Sequence, residues 1–200
     1  GAYTVAILTT ATQLDFWLAL PLAILLSALV GGLLALPALR VRGPYLAMVT
    51  IAFGFVVENS IAEWRDLTGG QNGIMGVPTL KAFGVAFGER GVALLAIALC
   101  GLLLIGFARL SRSAWGSAMR AVKDSEVAAE SVGLNPVAVK ALAFALSAAC
   151  AGLAGALFAP LSGFVTPSTF AFLQSILFVL VVVVGGAGTV SGPLVGAAIV

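Results

Sequence analysis

The sequence contains no histidine. That absence removes Ser-His-Asp catalysis, histidine metal sites and the histidine proton switch that works near neutral pH. Cysteine is nearly absent too: Cys100 and Cys150 each sit inside an apolar run. Two isolated thiols build neither a disulfide framework nor a zinc site, and in apolar runs they behave as small hydrophobes. Charge is scarce as well. Ten Lys and Arg and eight Asp and Glu make up 9% of 200 residues, against 61% hydrophobic. A typical globular domain is about 25% charged and roughly 45–50% apolar, and a water-facing surface carries about 25–35% charged residues. This chain cannot coat itself for water, so its solvent is lipid. The formal net charge of +2 is too small and too dispersed to argue for a nucleic-acid partner.

What is present is a series of long uncharged stretches: Phe16 to Leu39, Gly43 to Val57, Gly91 to Ala108, and everything from Ala141 to Val200. A helix rises 1.5 Å per residue, so about 20 residues cross a hydrocarbon core roughly 30 Å thick. The expected spans lie near 16–38, 44–63, 91–108, 141–159 and 170–184, with another from 193 onward. Residues 1–10 read as the tail of an earlier span. Turn residues divide the last stretch: Pro160-Leu161-Ser162-Gly163 with Thr166-Pro167-Ser168, and then Gly185 to Pro193. The apolar run from Pro193 stops at Val200, and no signal-peptide pattern opens the chain at Gly1. The expectation is the interior of a longer protein.

Orientation follows from Lys and Arg, which favour the cytoplasmic face. With 16–38 running inward, Arg40, Arg42, Arg109, Arg112, Arg120, Lys123 and Lys140 fall inside, and only Arg65, Lys81 and Arg90 fall outside. The inner segment 109–140 is longer than most connections in compact bundles and has a helical pattern. Trp115, Ala118, Met119, Val122, Ala129 and Val132 recur at roughly helical spacing. Arg120 with Asp124, and Lys123 with Glu126, stand at ion-pairing distances along a helix. Gly133 and then Asn135-Pro136 end it. The pattern therefore predicts one short amphipathic helix near 114–132, either lying on the lipid surface, packing between subunits, or docking into a groove on another protein. Small residues such as Ala128 and Ala129, beside the mixed charges Asp124, Glu126 and Glu130, favour docking.

Val127-Ala128-Ala129-Glu130-Ser131-Val132-Gly133 resembles the EAA…G motif of ABC-importer permeases, with Val127 at the motif's Glu position and Glu126 one residue early. Further runs are similar to the M-type membrane subunit of branched-chain amino acid ABC importers. These are Leu36-Pro37-Ala38-Leu39-Arg40-Val41-Arg42-Gly43-Pro44-Tyr45-Leu46-Ala47, Thr68 to Gly73 with Gly76-Val77-Pro78, Ala143 to Ala148 leading into Ala151 to Leu157, and Gly185 to Pro193. The resemblance covers essentially the whole chain in order. It implies an all-α, polytopic transmembrane helical bundle, residues 1–200 forming part of a single permease domain with a cytoplasmic coupling-helix loop at about 109–140. It implies that this loop inserts into an ATPase, so Arg120, Lys123, Asp124, Glu126, Ala128, Ala129, Glu130 and Gly133 are the candidate coupling residues. It also implies a second permease subunit, two ABC ATPase subunits and a periplasmic substrate-binding protein as partners, a bacterial inner-membrane location, and Leu, Ile and Val as substrates. Permeases for urea or short amides belong to the same superfamily and are the alternative.

The glycines carry no nucleotide loop. Gly186-x-Gly188 lacks the GxGxxG spacing and the acidic ribose ligand, and no Gly-Lys-Ser/Thr follows Gly69-Gly70-Gln71-Asn72-Gly73. The chain is expected to bind no cofactor, with ATP used by partner subunits. Between helices in lipid, association comes from close contact of small residues. Ala148, Gly152 and Ala156 stand four apart, as do Gly188, Gly192 and Gly196, and both rows are expected to pack.

Glu58 lies about 21 Å along a helix beginning at Pro44, within the bilayer or near its outer edge. A carboxylate at such depth usually faces the bundle interior, a partner or water. It is the candidate pathway or gate residue, against the reading that it stays hydrated or pairs with Arg65. Glu63, Arg65 and Asp66 mark the membrane edge, with Trp64 as interface anchor. The outer loop, with Gly69, Gly70, Asn72 and Gly73, suits ordered turns and is a candidate contact for a substrate-delivering protein. An intramembrane enzyme needs positioned acid–base partners, whereas Glu58 and Glu63 point about 140° apart on a helix. A secondary transporter remains the nearer rival; it needs no ATPase dock.

Overall fold

The computed structural model describes residues 1–38, 44–82, 85–186 and 191–199. It is helical nearly throughout. Helix α1 spans Ala2–Ala11, α2 Phe16–Ala38, α3 Pro44–Glu63, α4 Arg65–Thr68, α5 Glu89–Arg112, α6 Ala114–Asp124, α7 Glu126–Ser131, α8 Pro136–Ser162, α9 Phe172–Gly185 and α10 Gly192–Ile199. Among the described residues, four helical stretches are long and apolar enough to cross a membrane: Phe16–Ala35, Arg90–Arg112, Pro136–Ser162 and Pro167–Gly185. This is a polytopic membrane protein.

The longest contact runs between α2 and α8, and small residues make it. A Cβ placed on Gly152 would lie 2.6 Å from both Cβ and Oγ of Ser27 and 3.3 Å from the Ala23 carbonyl oxygen. One placed on Gly31 would collide with Ala148 Cβ and lie 3.0 Å from the Phe144 carbonyl oxygen. Thus Ala23, Ser27 and Gly31 on α2, four residues apart, face Ala148 and Gly152 on α8. Ala156, one turn further, is fully buried with Val5, Ala6, Ala19 and Val165. Helix α1 packs on the same face of α8, where a Cβ on Gly155 would come within 2.9 Å of the Ala2 nitrogen. Lipid offers no hydrophobic gain for such contacts, so the backbones approach until dispersion holds them.

Helices α9 and α10 form a second tight pair. A Cβ on Gly196 would strike the Val181 carbonyl oxygen, and one on Gly185 would lie 2.8 Å from the Gly196 nitrogen. Gly192 and Gly196 are both buried there; Gly188 lies outside the described residues. Elsewhere α9 buries none of its side chains.

The outer connections are ordered. Strands β1 (Ile74–Met75) and β4 (Phe164–Val165) pair antiparallel, Ile74 opposite Val165, and β2 (Lys81–Ala82) pairs with β3 (Val85–Ala86). Gly76 and Val77 add N–H bonds to the Gly163 carbonyl, 3.1 Å each. The segments 74–77 and 163–165 therefore sit together on one side, as the alternation of spans requires. Thr68 Oγ1 reaches the carbonyls of Ile61 and Trp64 (2.6 and 2.7 Å) and accepts from Gly70 N–H at 3.2 Å. Gly73, at φ +70°, leaves no room for a side chain against Val165 and Thr166. Asn72 is exposed.

Several boundaries differ from the sequence expectation. Pro160 and Leu161, expected in a loop, are the last turn of α8, which ends at Gly163 with φ +71° and its N–H on the Ala159 carbonyl (3.1 Å). A proline removes one N–H bond, a loss that is tolerable near a helix end where later amides still find carbonyls. Thr166-Pro167-Ser168, expected as loop, and Phe170, expected at the head of a span, fall at a 3₁₀ turn over Pro167–Phe170, and α9 starts at Phe172. Helix α5 continues through Arg109 to Arg112, because the charged edge of a span is a boundary for lipid and not for backbone hydrogen bonding.

Candidate functional site

The inner segment is a folded helical elbow. Helix α5 ends at Ser113, whose Oγ donates to the Leu110 carbonyl (2.7 Å) and accepts from Gly116 N–H (3.4 Å), capping α6. Gly116 is required there: a Cβ would meet the Leu110 and Ser111 carbonyls. The Arg120 guanidinium turns back to bind the Ser111 carbonyl (2.7 Å) and Ser117 Oγ (3.3 Å). That fixes the angle between α5 and α6.

The single helix expected over 114–132 is two. Ser125 is extended (φ −157°, ψ 115°), and its Oγ accepts from Ala128 N–H at 3.2 Å. It ends α6 and caps α7 in one position, as serine does by offering the backbone a side-chain acceptor. The elbow changes the pairing. Arg120 turns to Ser111 and Ser117 rather than to Asp124, and Glu126 Oε1 binds Lys140 Nζ at 2.6 Å, tying α7 to α8. Helix α7 ends with Gly133 at φ +82°, its N–H on Glu130 O (2.9 Å) and Leu134 N–H on Ala129 O (3.0 Å). This is the paired-bond geometry that makes glycine the natural stop. Asn135 Oδ1 then accepts from the Val137 and Ala138 amides and starts α8.

Around this elbow Ala118, Val122, Ala129 and Val139 form a small core, flanked by Met119, Ala121 and Leu134. Ala129 is 1% exposed, so it holds the elbow together and presents nothing to a partner. The outward face belongs to other residues. Val127 and Val132 are 74% and 76% exposed, with Ala128, Glu130, Lys123 and Asp124 also exposed around them. Val127 was legible only as the misfit in a motif, and Val132 only as part of a helical stripe. The signal that separates them from Ala129 is the second cap at Ser125, which restarts the helix phase.

Away from the elbow, Glu58 lines the wall of two adjoining cavities. One, of about 410 Å³, lies between α3 and α9 and includes Thr50, Phe55, Phe172 and Ser175. The other, of about 240 Å³, lies between α1, α3 and the 167–170 turn and includes Tyr3 and Phe170. Among the described residues no group of His, Cys, Asp and Glu is arranged to hold a metal ion.

The sequence profile of a family described as branched-chain amino acid transport system / permease component matches residues 1–200. The chain belongs to this family. It is 40% identical over 213 aligned positions to the high-affinity branched-chain amino acid transport system permease protein LivM of Salmonella typhimurium, and 38% identical to that of Escherichia coli. In both cases 94% of this chain and 50% of the relative are covered. A probable branched-chain amino acid transport permease protein LivM of Methanocaldococcus jannaschii is 26% identical over 90% of the chain. The chain thus spans about half the length of the curated relatives it matches. No solved structure matches it.

Membership in the permease family fits a chain that weaves through the bilayer, and the weave is directly testable. With Cys100 and Cys150 replaced by alanine, the variants Ala128→Cys and Gln71→Cys, both at exposed positions, are expected to react with an impermeant thiol reagent from opposite sides, Ala128→Cys from the cytoplasm only. Labelling of both from one side would break the alternation of α3 and α5.

Proposed function

We propose that this chain is the membrane-spanning part of a permease subunit in an ABC importer of branched-chain amino acids. The observation that carries the reading is the 40% identity to a branched-chain amino acid permease along 94% of the chain. In this reading residues 1–200 belong to one permease domain in a bacterial inner membrane, paired with a second permease subunit. A periplasmic binding protein delivers Leu, Ile or Val to the outer loops. Two ATPase subunits grip the elbow formed by α6 and α7 on the cytoplasmic side. ATP is used by those partners; this chain binds no cofactor and carries no catalysis of its own. The elbow suits force transmission. A capped, internally cored unit joined to α5 through Arg120 and to α8 through Glu126–Lys140 moves as one piece, so a displacement at α7 reaches two spans together.

The full-length protein, reconstituted in proteoliposomes with its ATPase, second permease and binding-protein partners, is expected to accumulate leucine only when ATP is supplied to the ATPase side, and not to accumulate urea. Uptake driven by an ion gradient without ATP would instead make it a secondary transporter.

A further inference from the structure

Two polar groups in the outer half of the bundle have no partner in the fold. The Tyr3 hydroxyl is buried and makes no hydrogen bond. The Glu58 carboxylate, a formal charge on a membrane-spanning helix, is only partly exposed and has no ion pair or hydrogen bond among the described residues. Buried polar atoms in native structures are nearly always satisfied, and an exception calls for an occupant or a function. Intramembrane carboxylates are costly enough that they mark ligand or ion pathways by default. Tyr3 and Glu58 are far apart in sequence, yet both line the 240 Å³ cavity.

The second cavity supplies what the first lacks. It shares Gly54, Glu58 and Phe170 with the smaller one, so the two adjoin at the carboxylate. Its other walls are Ile51, Phe55, Phe172, Ile176 and Val179, all exposed along an open groove, with the hydroxyl-bearing Thr50 and Ser175. Phe55 and Phe172 approach to 5.8 Å between ring centroids and close one side. A volume of about 410 Å³ falls in the range of roughly 300–1,000 Å³ typical of small-molecule sites.

We propose that these adjoining cavities form a transit site for a zwitterionic amino acid with an apolar side chain. The Glu58 carboxylate accepts from the ammonium group, the Tyr3 hydroxyl donates to the substrate carboxylate, and the side chain enters the apolar chamber between α3 and α9. The assignment deepens the permease reading and rests on it. Glycine at position 54, with nothing within 4 Å of where a Cβ would stand, keeps the passage between the chambers open. A charge-assisted contact of this kind carries most of the head-group recognition, while the chamber sets the preference for branched chains by fit.

The test uses the full-length complex in proteoliposomes and, in detergent, leucine alone as probe. Glu58→Gln is expected to lower ATP-driven leucine uptake about 10-fold or more, the usual scale for losing a charged hydrogen-bond partner, and Tyr3→Phe about 3-fold or more. Both variants should reach the parent's level in the membrane and co-purify with their partners, so that the loss of uptake is not a loss of folding. In the background lacking Cys100 and Cys150, leucine should slow thiol labelling of Ser175→Cys, and 4-methylpentanoate, which lacks the ammonium, should not. Protection should vanish on adding Glu58→Gln. Leucine uptake by the parent, with both variants within twofold of it and no protection at Ser175→Cys, overturns the site. Protection by leucine in a parent that takes up no leucine supports the site and overturns the permease reading instead. Equal protection by leucine and 4-methylpentanoate overturns the role given to Glu58.

Discussion

Gly152→Leu is expected to leave the full-length protein unable to accumulate in the membrane, or to lower its thermal midpoint by about 10 °C in detergent. The reason is geometric. Even a methyl group at position 152 would stand 2.6 Å from Ser27 Cβ and 3.3 Å from the Ala23 carbonyl oxygen, inside van der Waals contact with atoms fixed to the backbone of the facing helix. Overpacking a well-fitted interface usually costs about 1–3 kcal/mol, and about 2–4 °C of midpoint accompanies each kcal/mol in a domain near this size. A leucine, with three more carbons to place, sits at or above the top of that scale. The contact it would spread joins α2 to α8, the interface on which α1 and the outer core also rest. Gly101→Leu is the control, since nothing lies within 4 Å of a Cβ there. It should change stability by no more than about 1 kcal/mol, in the favourable direction expected when glycine leaves a helix interior. Equal behaviour of the two variants in a thermal-denaturation assay would mean that α2 and α8 are not held by close backbone approach.

The second large effect concerns the inner elbow, where two kinds of substitution should separate cleanly. Val127→Asp and Val132→Asp alter side chains about three-quarters exposed, so the elbow should fold as before; surface changes of this kind usually stay within about 0.5 kcal/mol. If ATPase subunits seat on this face, an unpaired carboxylate buried at the contact should lower ATP-driven uptake about 30-fold, the scale of a lost interface hot spot of about 2 kcal/mol. Membrane level and protease resistance of residues 109–140 should be unchanged. Ala129→Trp should do the reverse in order of events. At 1% exposure there is no space for an indole among Ala118, Val122 and Val139. The elbow should open, become protease-sensitive and lose coupling as a consequence. Wild-type uptake by both aspartate variants, measured at equal protein level, would remove this face from the coupling path.

The two cases show where the linear chain is informative. Spans were legible because charge is excluded from lipid whatever the tertiary arrangement; the uncharged stretch from Phe16 marked α2 correctly at both ends for that reason. The row Ala148, Gly152 and Ala156 could be read as a packing face, but not its partner, since Ala23, Ser27 and Gly31 are small residues in a helix full of small residues and leucines. In the elbow, helical periodicity treated Ala129 and Val132 as one stripe. Serine at position 125 restarts the helix, and only then does one of them turn inward and the other outward. Pro160 was misread because a proline near a helix end and a proline in a loop are identical in sequence; the deciding fact is whether the following amides find carbonyls. That Tyr3 and Glu58 line one cavity was invisible, because it depends on how α1, α3 and the 167–170 turn are arranged around it. Tyr3 carried no sequence signal beyond being an aromatic in an apolar run.

The Ile74–Val165 ladder has a consequence for how the protein is made. Its two halves lie about 90 residues apart, and a ribosome adding roughly 5–20 residues each second needs about 5–18 s to make that length. Throughout that interval the segment from Gly69 to Ala82 has already emerged on the far side of the bilayer without the strand that will hold it. The β1–β4 pair therefore closes only once α8 has been made, and the stretch 69–82 is open to proteolysis in a nascent chain stalled before α8 has been threaded across.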